Sequence, residues 1–191
     1  AEILEESEGA LWKRDWLDDN RVEKSPEDLE RVVVAIDPAV TATKTSDETG
    51  MVVAGKSKDG EFYLLHDASG KYSPSGWATE AITLYNKYSA DKIIAETNNG
   101  GQLVEHTLRT KSDTVPYKSV HASRGKRTRA EPIAALYEQK KVHHVGAFRT
   151  LEDQLCNWEA TSGDSSPDRL DALVWALSEL SGSGNPSIRW L

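Results

Sequence analysis

Arg31-Val-Val-Val-Ala-Ile-Asp37-Pro38 runs apolar for five residues, then stops on a carboxylate and a proline. Val and Ile suit a pleated surface covered on both faces, so the run reads as a buried strand. Asp37 then closes the carboxyl end of a central strand, where open α/β sheets place their chemistry. Pro38 ends the ladder and fixes the exit direction. Alone, Asp37 is adequately explained as a turn cap. Its meaning depends on what the rest of the chain brings beside it.

Downstream of a Thr- and Ser-rich loop, Gly50 to Lys56 reads as a second strand. Lys58-Asp59-Gly60 makes a hairpin turn into a third strand, Glu61 to His66. A helix follows from Ser73-Pro74 to Lys87, with Trp77, Ala81, Leu84, Tyr85 and Tyr88 at helical spacing. Asp91 to Glu96 again passes from an apolar run into a carboxylate. A helix over Gln102 to Thr110, a strand over Tyr117 to His121 and a helix over Arg129 to Lys140 come next. A short extended segment, Val142 to Val145, precedes helices over Leu151 to Trp158 and Pro167 to Leu180. The order βββαβαβα, with more helix after it, predicts an α/β fold. Its mixed sheet has five or more strands, three antiparallel and then parallel ones, with helices on both faces. That arrangement resembles the ribonuclease H-like fold, in which the first and fourth strands lie side by side and parallel.

Composition narrows the function classes. The 191 residues are 38% hydrophobic and 28% charged, which is ordinary for a globular chain. No apolar run approaches a membrane span and no signal-peptide pattern opens the chain, so no membrane partner is expected. Cys156 is the single cysteine, which excludes an internal disulfide and a thiolate metal site and suits a reducing cytosol. Of the net charge of −8, residues 1–30 carry −7, from eleven acids and four basic residues. The body is therefore close to neutral. Residues 1–30 read as an acidic arm or linker, although Leu11, Trp12, Trp16 and Leu17 are spaced to dock a short helix. Residues 31–181 form the folded domain, and 182–191 a mobile polar tail.

The topology turns distant acids into neighbours. If strands one and four pair in parallel, Asp37 and Glu96 stand about one strand spacing apart, ~5 Å. Two carboxylates that close repel, and a divalent cation relieves them. Oxygen ligands select hard ions such as Mg²⁺ or Mn²⁺. The third contributor is Ser166-Pro-Asp168-Arg-Leu-Asp171-Ala-Leu-Val-Trp-Ala. Asp168 and Asp171 share one side of a helix whose apolar face is Leu170, Leu173, Val174, Leu177 and Leu180. The helix dipole accounts for Asp168, which remains a lesser candidate as a metal ligand. Asp171 borders the apolar stripe and needs a partner, which a shared metal would supply.

These segments resemble a known family. Val34-Ala-Ile-Asp37-Pro-Ala39, Ile94-Ala-Glu96-Thr-Asn98, Ser123-Arg-Gly-Lys126-Arg-Thr-Arg129-Ala-Glu-Pro132 and Ser166 to Ala176 look like the nuclease domain of tailed-phage large terminases. They occur in the family's order across roughly Arg31 to Leu180. The resemblance implies a ribonuclease H-like enzyme that cuts concatemeric phage DNA during genome packaging, in the cytoplasm of the infected bacterial host. It implies that Asp37, Glu96 and Asp171 match the three metal-binding acids, with two Mg²⁺ or Mn²⁺ ions expected with substrate. Asp47 matches a position often acidic in these proteins and is an auxiliary candidate, though a Ser-Asp-Glu turn accounts for it equally. The implied partners are double-stranded DNA, an ATPase motor domain of the same protein, a small terminase subunit and a portal. No Gly-x-x-x-x-Gly-Lys-Ser/Thr loop occurs, so the sequence reads as the nuclease half, with the acidic arm as the connection to the motor.

Lys118, Arg124, Lys126, Arg127 and Arg129 form a basic stretch with no intervening acid, and are expected to hold DNA phosphates. Thr128 and Glu131 have capping-box spacing, which would open the helix there. His121 is a minor candidate beside that stretch, and His143-His144 read as structural or exposed. Other ribonuclease H-like nucleases, such as a junction resolvase or a hybrid nuclease, share these acids. A non-catalytic DNA clamp or portal-docking module would share the basic stretch without needing the acids.

Overall fold

Alternation along β1 (Arg31–Asp37) sets the two layers of the molecule. Val33 and Ala35 face one core, and Val32, Val34 and Ile36 face the other. The computed structural model describes residues 7–38, 48–97, 101–159 and 167–182. Asp47, Ser166 and the tail from residue 183 lie outside those described residues.

β2 (Gly50–Lys56) pairs antiparallel with β1, and β3 (Phe62–Asp67) antiparallel with β2. β4 (Lys92–Glu96) runs parallel to β1, β5 (Tyr117–Val120) parallel to β4, and β6 (Val142–His144) parallel to β3. The sheet order is β5-β4-β1-β2-β3-β6. This is the expected mixed sheet, three antiparallel strands followed by parallel ones, and its fold is ribonuclease H-like.

α2 (Pro74–Lys87) and α3 (Gly101–Arg109) border the face of Val34 and Ile36, where Trp77, Ala81, Leu84, Val104 and Leu108 are buried. Ser73 caps α2 by accepting from the Gly76 amide at 3.1 Å, and Pro74 opens it. The opposite face is covered by α4 (Lys126–Glu138), α5 (Arg149–Asn157) and α6 (Asp168–Ser181). α6 buries Leu170 through Leu177 and Leu180, so it is a central element rather than a surface helix.

Two expectations need correction. α4 starts at Lys126, three residues before Arg129, and its cap is Gly125 without a side-chain bond. The Thr128–Glu131 capping box therefore does not form. Both residues lie inside the helix, and Glu131 instead accepts from Arg127 Nε at 2.8 Å. The acidic segment read as an arm or linker is packed onto the body from residue 7. α1 (Arg14–Asp18) buries Leu17, Trp12 is fully buried against Tyr137 and Trp158, and Val22 bridges Val145. Arg21 reaches Glu152 at 2.6 Å and the Gly146 carbonyl. Glu152 in turn pairs with His144, which is buried between it and the Tyr137 hydroxyl at 2.8 and 2.9 Å. His144 is thus a core residue. Among the described residues no helix is long and apolar enough to cross a membrane.

Candidate metal and DNA site

The parity of β1 and β4 aims their last residues. In the parallel pair, Ile36 stands opposite Ala95, so Asp37 and Glu96 follow side by side. Asp37 shares its strand face with Val33 and Ala35, and Glu96 shares its face with Ile94. All three apolar residues line the core that holds α6. Both carboxylates therefore project toward the helix that carries Asp168 and Asp171.

α6 can come this close because of a glycine. Gly50 pairs with Asp37 in the β1–β2 register. A Cβ on Gly50 would fall 2.0 Å from the Asp168 carbonyl oxygen and 3.1 Å from the Ala172 Cβ. Only the bare backbone admits the first turn of α6. Arg169 fixes that turn from the side, with Nη1 on Asp67 at 2.8 Å and Nε on Glu48 at 3.1 Å. Asp171 is buried, and its amide donates to the Pro167 carbonyl at 3.1 Å. Neither Gly50 nor Arg169 was singled out from the sequence. The only sequence signal was that Gly50 opens its strand at the end where strand one meets its carboxylate.

The electrostatics follow from this crowding. Burial pushes the Asp37 carboxyl up to about 8, and Glu96, Asp171 and Asp168 push it in the same direction, in that order. The nearby Lys126 ammonium works against them. Lys126 Nζ lies 2.7 Å from Asp171 Oδ2, and Arg129 Nη1 lies 3.8 Å from Glu96 Oε1. Two cations of the basic stretch thus balance the acids directly. Among the described residues no three His, Cys, Asp or Glu side chains form a ready metal-holding group. The donor chemistry nevertheless fits a divalent ion: hard carboxylate oxygens, buried and gathered beside one another, are stabilised by added positive charge.

The five cations do not form one surface. Lys126 and Arg129 turn inward, one helical turn apart. Arg124 and Arg127 are exposed, Arg127 in an i,i+4 pair with Glu131. Lys118 directs its ammonium to Glu179 at 2.6 Å. Glu179 also takes Lys92 at 3.2 Å and Arg31 at 3.7 Å, residues that start β4 and β1 at the ends opposite Glu96 and Asp37. His121 is exposed and lies 3.2 Å from the Thr97 hydroxyl, next to Glu96. Trp175 was also missed as a functional residue: its indole N–H donates to Glu96 Oε2 at 2.7 Å.

Comparison with known proteins agrees with this architecture. A family model described as "Terminase RNaseH-like domain" matches residues 34–180. The nuclease domain of the large terminase subunit of bacterial virus Sf6 is similar in fold at 14% identity and a TM-score of 0.64, covering 88% of this chain and 98% of that one. The large terminase nuclease of thermophilic phage G20c, solved with bound magnesium, is similar at 16% identity and a TM-score of 0.64, with 91% and 98% covered. No curated protein matches the chain. The family match spans Asp37, Glu96 and Asp171 together, and the chain belongs to the terminase ribonuclease H-like domain family, the nuclease domain of terminase large subunits.

Proposed function

We propose that this chain is a metal-dependent endonuclease that cuts double-stranded phage DNA during genome packaging, by two-metal phosphodiester hydrolysis. The observation that carries the proposal is the convergence of Asp37, Glu96, Asp171 and Asp168 at one sheet end, where burial first and then the three neighbouring carboxylates push the Asp37 carboxyl up to about 8. Asp37, Glu96 and Asp171 would hold Mg²⁺ or Mn²⁺, with Asp168 as a further donor; the phage G20c relative binds magnesium. Divalent ions held by these residues would supply the charge that turns water into a nucleophile at neutral pH and steadies the leaving 3′ oxygen.

The chain's own residues do the rest. The two strand ends and the first turn of α6 fix the acids from three separate elements, which keeps them in place against their mutual repulsion. Lys126 and Arg129 hold the acids in partial charge balance. Arg124 and Arg127, exposed on the loop and first turn beside them, take DNA phosphates without reading sequence. Lys118, held by Glu179, stands apart from that surface. In the packaging machine the chain would work with an ATPase motor domain, a small terminase subunit and a portal, in the infected host's cytoplasm.

The test compares substrates. Purified protein with Mg²⁺ or Mn²⁺ should nick supercoiled plasmid and cut linear duplex, and a chelator should abolish both reactions. Preferential cutting of the RNA strand of a hybrid, or of a four-way junction, would transfer the assignment to another ribonuclease H-like nuclease. DNA binding without metal-dependent cutting would leave a clamp.

A further inference from the structure

Asp171 and Trp175 are one turn apart on α6, so the helix presents both to the end of β4. Trp175 is 8% exposed. An apolar side chain would fill this space at no polar cost, whereas an indole buries an N–H that must find an acceptor. The acceptor is Glu96 Oε2, at 2.7 Å, a charge-assisted bond to a carboxylate assigned above to the metal site. Behind the indole lies Arg129, its guanidinium 4.5 Å from the ring centroid. The Arg129 side chain is nine-tenths buried, and its Nε and Nη1 have no hydrogen-bond partner. A buried guanidinium left without those bonds is held here by the ring face and by the charge of Glu96 Oε1 at 3.8 Å.

We propose that Trp175 is a positioning residue for Glu96: its indole N–H holds Oε2 and so fixes the orientation in which the carboxylate meets a divalent cation, with Arg129 stacked on the ring to hold its plane. This rests on the nuclease reading, since it assigns Trp175 a role through a metal-binding acid. A packing role alone would be met by any side chain of similar size. A positioning role requires the N–H and couples the indole to the charge on Glu96. Partners that orient metal ligands typically change metal affinity about 10- to 100-fold when removed.

The six tryptophans allow a direct test. In ¹⁵N-labelled protein, the indole signal missing from Trp175→Phe identifies Trp175, and the remaining five in their wild-type positions show that the variant is folded. That signal should move on Glu96→Gln, with the other five indole signals in their wild-type positions as the check that the variant is folded. It should also move as Mg²⁺ is added to the wild type, tracking the binding curve measured by calorimetry. Trp175→Phe should bind Mg²⁺ about 10-fold or more weakly. Equal Mg²⁺ affinity in Trp175→Phe and wild type, or an indole signal indifferent to Glu96→Gln, overturns the positioning role alone. A wild type that binds no Mg²⁺ overturns the nuclease reading and this role together.

Discussion

At the scale of single residues, Asp37 gives the metal-free protein one pH dependence of its own. Its carboxyl, pushed up to about 8 by burial and by Glu96, Asp171 and Asp168, keeps its proton in the folded state over a range where the unfolded chain releases it. Between pH about 4 and about 8 the folded state therefore binds more protons, and stability falls as pH rises, with a slope approaching about 1.4 kcal/mol per pH unit. Asp37→Asn should flatten that slope and stabilise the protein near pH 8, as read by urea unfolding in the presence of chelator. His144 acts in the opposite sense. Burial lowers its pKa despite Glu152, so the unfolded chain takes up the proton below about 6.5, and this group's contribution to stability rises with pH. The difference between the wild-type and Asp37→Asn profiles isolates Asp37, and parallel profiles would contradict the assignment. Asp37, Glu96 and Asp171 stand out in the sequence because two of them close apolar runs and the third borders an apolar stripe, whereas Asp168 carries no such mark. The Glu96–Trp175 bond was not legible, because Trp175 fits a helix core equally well and only three-dimensional packing shows what its N–H touches.

At the scale of elements, the approach of α6 to β2 decides whether four acids share one site. Gly50→Ala places a methyl 2.0 Å from the Asp168 carbonyl oxygen, a backbone atom held by its own helix. The first turn of α6 must move away. The expected result is a loss of stability on the order of 1–3 kcal/mol and a loss of cutting, with sheet content by circular dichroism retained. A stable, active Gly50→Ala protein would show that the site tolerates a displaced helix. α4 carries a similar lesson. Pro132 lacks an N–H and suits a first turn, so a start at Arg129 reads naturally from the sequence. The helix in fact begins at Lys126 and runs through Pro132. That earlier start divides the basic stretch, turning Lys126 and Arg129 inward to the acids while Arg127 stays outside with Glu131. Arg124→Ala combined with Arg127→Ala should therefore weaken duplex binding and reduce the salt slope by about 2, whereas Lys118→Ala leaves the slope unchanged. Equal effects from the two proteins in a salt titration would restore a single continuous patch.

At the scale of the whole molecule, the sheet is what the sequence displayed most openly. Four of its strands, β1 to β4, are β-branched or apolar runs bounded by turn signals, and the parity of β1 and β4 points Asp37 and Glu96 to one side. Less visible was the fate of the acidic N-terminal segment. Its charge argued for a linker, yet Trp12 and Leu17 are buried in the core shared with α4, α5 and α6, and Arg21 joins the Glu152–His144 pair. Charge composition reports average solvation, while two apolar side chains at the right spacing are enough to dock a segment. Likewise, no local pattern announces that Lys118 is drawn to Glu179, because that pairing depends on α6 crossing the strands.

All three scales converge on one claim, that Asp37 is the central carboxylate of a metal-dependent DNA-cutting site. The most direct measurement is the rate of supercoiled-plasmid nicking in Mg²⁺ or Mn²⁺ for wild type and Asp37→Asn at equal protein concentration, with folding of the variant checked by circular dichroism. Metal-dependent nicking by the wild type, lost by at least about 100-fold in the folded variant, is the predicted result. Undiminished nicking by Asp37→Asn would contradict it.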